Sequence, residues 1–252
     1  MVVEIIATMF LVGLLLGFVG AGGSGFIISI LVLFGIPIHI ALGTALVAMI
    51  FSSLSGAVSH YREGNVSLKQ GIIIGIFGAI GAWFSSKFSV YIPASELKFM
   101  TAGMLYLSGI VLWLRMFIVS RKKSIDDERT AHITGIRFLV SACGIGLVTG
   151  ALSGLFGIGS TPFIQIGLMA ILGMSVRKSA GTTMLVIILI AIAGGTGYYH
   201  LGYLNLQLLA EVVFGTMLGS YIGAKFTKRV PARILKTAMV LFPMIGGSLL
   251  LL

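Results

Sequence analysis

The segment Gly154-Leu155-Phe156-Gly157-Ile158-Gly159-Ser160-Thr161-Pro162 ends one apolar run and opens another, and Gly20-Ala21-Gly22-Gly23-Ser24-Gly25 does the same near the start of the chain. Each glycine lowers helix stability by up to about 1 kcal/mol, and its freedom at positive φ lets another backbone or a ligand approach closely. A helix start signal follows each break. Ser24 serves in the first, and in the second Ser160 or Thr161 is the expected N-cap with Pro162 in the first turn. The runs that follow, Phe26 to Phe34 and Phe163 to Leu172, are too short to cross a bilayer, which takes ~20 helical residues. Each break therefore reads as the tip of a broken or re-entrant helical hairpin. Irregular backbone at that depth is tolerated only where protein or a water-lined cavity covers it.

Working outward, apolar runs extend over Val3 to Val19, Ile38 to Ser59, Gly71 to Phe88, Leu97 to Phe117, Ile136 to Leu155, Ala180 to Tyr199, Leu206 to Phe226 and Ile234 to Leu252. Most approach the length of a membrane span. Of the 252 residues 58% are hydrophobic and 10% charged, against roughly 45–50% and 25% in soluble domains. A water-soluble fold cannot hide so much apolar surface, so the expected class is an all-α polytopic membrane protein with the lipid bilayer as its partner. The net charge of +10 is distributed in short clusters between apolar runs, a topology signal, and nucleic acid is not an expected partner. Cys143 is the single cysteine, which excludes an intramolecular disulfide and a cysteine zinc site. The opening Met1-Val2-Val3-Glu4 has no basic region, so the first run is expected to remain as a transmembrane segment.

The chain repeats itself. An offset of 138 superimposes Gly43-Thr44 on Gly181-Thr182, Tyr61 on Tyr199, Gly81 on Gly219, Lys87-Phe88 on Lys225-Phe226 and Pro93 on Pro231. Upstream an offset of 137 pairs Gly13, Gly17, Gly20 and Gly22 with Gly150, Gly154, Gly157 and Gly159. Shared Pro, Lys and Gly-Thr positions at one spacing mark a duplication. The expected division is a first transmembrane repeat over 1–118, a charged linker over 119–134, and a second repeat over 135–252.

Lysine and arginine placement orients the halves, because cytoplasmic loops are enriched in them. Four full crossings per half would leave eight basic residues on the linker side and nine on the other, which is no bias. If each hairpin instead returns to its side of entry, fifteen fall on the linker side and only Lys87 and Lys98 opposite. That reading predicts two inverted-topology repeats, each a glycine-broken hairpin followed by three transmembrane helices. The linker is then cytoplasmic and both termini extracytoplasmic, in the cell inner membrane. Opposed broken helices meeting near the midplane form the substrate sites of many secondary transporters.

Such tips present free N–H groups at positive helix ends, which suits a small anionic substrate. The candidate site comprises Gly22, Gly23, Ser24, Gly25, Thr44 and Ser52 from the first half. From the second it takes Gly157, Gly159, Ser160, Thr161, Gln165, Thr182 and Thr183. Gly13, Gly17, Gly150 and Gly154, at four-residue spacing, read as helix-packing positions. Glu211 is expected at the interface, and Trp83, Tyr91, Tyr198 and Tyr199 in the aromatic belt. No metal or cofactor is expected, and the scarcity of buried acids speaks against a carboxylate proton relay.

Two other motif matches fail on context. Gly20, Gly22 and Gly25 fit G-x-G-x-x-G, but no βαβ unit surrounds them. Gly22-Gly23-Ser24-Gly25 also matches the serine motif of rhomboid-type proteases, yet all four histidines lie near segment ends. A non-enzymatic anion channel or membrane scaffold, with glycines serving only helix packing, is the alternative to a carrier.

The duplicated pattern of a Gly-x-Gly-Gly type cluster, a Gly-Thr pair and a Tyr-x-x-Gly loop such as Tyr61-Arg62-Glu63-Gly64 resembles the sulfite exporter TauE/SafE family over essentially the whole chain. Ser24 stands where a further glycine is common and Ile28 where a proline often follows. The resemblance implies transport of sulfite or small organosulfonates across the bacterial cytoplasmic membrane. The residues themselves reach only an anion site between opposed helix ends.

Overall fold

The computed structural model describes residues 2–19, 24–121, 135–227 and 232–252. Gly22, Gly23 and linker residues 122–134 lie outside the described residues. Ten helices follow one another: α1 (Val2–Val19), α2 (Ser24–Leu33), α3 (Ile38–Arg62), α4 (Leu68–Ser89), α5 (Ala94–Arg121), α6 (Ile136–Phe156), α7 (Thr161–Ala170), α8 (Val176–His200), α9 (Leu206–Thr227) and α10 (Ala232–Leu251). Each starts or stops within a few residues of an apolar run. Helix α5 continues to Arg121, past the expected repeat boundary at 118.

Among the described residues, α3, α4, α6, most of α5 and most of α8 are long and apolar enough to cross a membrane. Helices α2 and α7 have 10 residues each, roughly 15 Å of rise and half the hydrocarbon thickness. Bulky apolar side chains such as Phe99 (66% exposed) and Val140 (65%) line the outer surface. Leaving a Phe or Val in water forgoes about 1.5–3 kcal/mol each, a penalty that lipid removes.

Contacts recur at the repeat offsets. Helix α1 packs along α9 and α4 along α6, and an added Cβ on Gly219 would collide with the Phe10 carbonyl as one on Gly81 would with the Leu147 carbonyl. Small residues let these backbones touch. Gly215 faces Ile6 while Gly219 faces Phe10 and Leu14, so α1 and α9 run parallel. Helices α3 and α8, which occupy equivalent positions, instead run antiparallel: Gly194 sits on Leu46 and Gly56 on Met184. Helices α5 and α10 do likewise, with Gly109 on Met244 and the Tyr106 and Ser248 hydroxyls 2.7 Å apart.

The halves differ at the seam between α4 and α8. Gly71, Gly75 and Gly78 of α4 lie against Leu185, Leu189 and Ile190 of α8. Their counterparts on α9 are Leu209, Val213 and Thr216, and α9 meets α3 over a shorter stretch.

Candidate functional site

The break between α6 and α7 is built from left-handed backbone. Gly157 caps α6 at φ 64° and bonds its N–H to the Ser153 carbonyl at 2.8 Å. Gly159 follows at φ 65° and Ser160 at φ 46°. An L-residue in that region costs roughly 1–2 kcal/mol, so Ser160 is a strained position at the tip. Ser160 is the N-cap of α7 and Pro162 lies in the first turn, as expected, but the Ser160 hydroxyl makes no capping bond. A capping side chain needs extended backbone beneath it, and the left-handed turn does not supply that.

The tip abuts the middle of the molecule. Gly157 packs on Leu42, and a Cβ added to Gly159 would meet the thioether of Met49, near the middle of α3. That same point is 3.8 Å from the Ser24 hydroxyl oxygen. Ser24 is the first helical residue of α2, and its counterpart at offset 137, Thr161, is the first of α7. The starts of the two short helices are thereby brought together.

Ser24 (1% exposed), Ser160 (0%) and Thr161 (8%) are buried, and none of their hydroxyls has a hydrogen-bond partner. Such groups cost about 1–3 kcal/mol each when left unsatisfied. Thr44 and Thr183 are also buried with unpartnered hydroxyls. Thr183 shares a face of α8 with Val186, Ile187 and Ile190, which pack in one core with Ile164 of α7. Gln165 is buried one turn into α7, and Gly25 is sealed by Leu105.

Two expected residues point elsewhere. Ser52 is exposed and its hydroxyl donates to the Met49 carbonyl at 3.1 Å, whereas neighbouring Ser53 is buried. Thr182 accepts the Ser67 backbone N–H at 3.0 Å and packs on Gly71, which joins α8 to α4.

Two residues enter that sequence reasoning passed over. Ser153, one turn before the tip, is wholly buried with an unpartnered hydroxyl. Tyr198, expected at the membrane interface, is wholly buried, and its hydroxyl donates to the Gly154 carbonyl at 2.8 Å. That bond satisfies one of the carbonyls a broken helix leaves open, so Tyr198 holds the end of α6. Its place in the Tyr198-Tyr199 pair hid it, because only Tyr199 faces outward, at 55% exposure. Glu211 is half-buried and accepts from Gln207 at 3.1 Å. Among the described residues the buried side chains that carry a polar group are serines, threonines, Tyr198 and Gln165, and no cluster of three metal-ligating groups occurs.

Apolar helices of membrane-spanning length around a packed interior define a multi-pass α-helical membrane protein. The chain belongs to the sulfite exporter TauE/SafE family, whose model matches residues 5–250. Its relatives include the probable membrane transporter protein YdhB of Bacillus subtilis, 52% identical over 98% of this chain and 99% of that protein. The probable membrane transporter protein YjnA of the same organism is 28% identical, over 98% of each. A probable membrane transporter protein of Methanocaldococcus jannaschii is 27% identical over 90% of this chain and 86% of its own length. No solved structure matches the chain.

Proposed function

We propose that this protein is a secondary transporter that moves a small anion, sulfite or an organosulfonate, across the cytoplasmic membrane by alternating access. The observation that carries this reading is the meeting of Ser24 with the tip at Gly159. It joins the starts of two equivalent helices, each opening on a buried hydroxyl without a partner. Helix N-termini favour anions, and hydroxyls donate to them without the permanent charge that would slow release. The family's description as sulfite exporters supports a sulfur oxyanion as the substrate.

In this reading the halves are inverted repeats, divided at the charged linker. The antiparallel course of α3 against α8, and of α5 against α10, supports it. A two-fold axis in the membrane plane reverses equivalent helices and leaves α1 parallel to α9. The basic-residue bias then puts the linker in the cytoplasm and both termini outside.

Flux of sulfite or methanesulfonate into proteoliposomes tests the proposal. Saturable flux that falls in Ser24→Ala and in Thr161→Val, with folding intact, is expected. Undiminished flux in both variants rejects the site.

A further inference from the structure

We infer that the site selects its substrate by charge state, accepting singly charged oxyanions and rejecting doubly charged ones. The inference rests on the anion site proposed above and adds what that site can neutralise.

Charge supply is the first step. A helix N-terminus carries roughly half an elementary positive charge, so two termini brought close together, as Ser24 and the Gly159 turn are, offer about one. The structure adds no formal charge nearby, since the buried polar side chains among the described residues are all hydroxyls and the Gln165 amide. Of the lysines and arginines whose side chains are described, Arg62, Lys69, Arg137 and Arg177 are exposed, Lys87, Lys98 and Lys178 are half-buried, and none is buried.

Charge demand grows faster than supply. The cost of removing an ion from water rises with the square of its charge, while its attraction to a fixed partial charge rises only in proportion. One negative charge is offset by two helix ends, whereas a second quadruples the desolvation cost and merely doubles the attraction. The hydroxyls do not close the gap. Ser24, Ser160 and Thr161 are unpartnered and at least nine-tenths buried, and each has one proton to donate. Together they match three oxygens of a sulfonate or hydrogensulfite.

The apolar neighbours of the tips agree. Met49 and Leu105, apolar and flexible, seal the tips at Gly159 and Gly25. A monoanion with one apolar face, such as methanesulfonate, sets oxygens against hydroxyls and its methyl group against these side chains. Sulfate, with four equivalent oxygens, leaves one against apolar surface.

The test uses the full-length protein in detergent and in proteoliposomes, with methanesulfonate, sulfate and sulfite as probes. Methanesulfonate is expected to bind saturably with no pH dependence, and sulfate to compete at least ~10-fold more weakly. Sulfite affinity is expected to fall as pH rises through neutrality and hydrogensulfite becomes the dianion. Sulfate competing as well as methanesulfonate, or sulfite affinity rising with pH, overturns the charge selection and leaves the anion site standing. Failure of all three probes to bind overturns the selection and the site together.

Discussion

The hydroxyl of Ser24 lies 3.8 Å from the point where a Cβ on Gly159 would stand, so the first residue of one ten-residue helix approaches the glycine turn that launches the other. The two lie 135 positions apart and belong to opposite halves of the chain. In the proposed transporter, a substitution at either alters the same site.

Ser24→Ala and Thr161→Val should separate transport from stability. Each removes a buried hydroxyl that has no hydrogen-bond partner, so thermal stability should be unchanged or rise by up to about 1 kcal/mol. Each also removes a donor to a charged ligand, worth about 1.5–3 kcal/mol and hence roughly a tenfold or greater loss of anion affinity. Melting temperature and anion binding on the same preparations check this. Loss of both together would mean the hydroxyls only hold the fold.

Gly159→Ala should cost about 2–4 kcal/mol, part from backbone strain at φ 65° and part from collision with the Met49 thioether. Adding Met49→Ala should recover the collision part only. Denaturation of the single and double variants measures the coupling, and strict additivity would contradict the contact.

Tyr198→Phe keeps the ring and leaves the Gly154 carbonyl without its donor. A loss of about 1–3 kcal/mol is expected, read as a lower melting temperature. Tyr199→Phe, on the exposed neighbour, should change little.

Gly81→Leu and Gly219→Leu should be comparably damaging, because each forces the same kind of helix pair apart. Gly144 has nothing within 4 Å of an added Cβ and is exposed. Gly144→Ala should therefore be neutral or stabilising by about 1 kcal/mol through helix propensity. Expression and thermal stability of the three variants provide the comparison.

The helices were legible because apolar length and glycine breaks are local signals, and lipid enforces both. The short arms announced themselves in the same way, through Gly157, Gly159 and Pro162. Facing was not legible, since in a chain apolar on every side the period-3.6 contrast between inside and outside fades. Sequence alone therefore does not separate exposed Ser52 from buried Ser53, or buried Tyr198 from exposed Tyr199. Ser160 is the N-cap, but its side chain makes no capping bond, because backbone conformation there depends on the neighbouring glycines as well as on residue type. Thr182 is the mate of Thr44 by offset, but the halves have diverged around them: Ser67 bonds Thr182, and the Thr44 hydroxyl has no partner.

The central claim is that both hairpin tips serve one anion. In a Cys143→Ser background, Ser24→Cys and Thr161→Cys are made separately and labelled with a thiol reagent under increasing methanesulfonate. Protection of both cysteines at the same half-saturating concentration is the expected result. Protection of one alone, or of neither while methanesulfonate is still transported, would contradict a shared site.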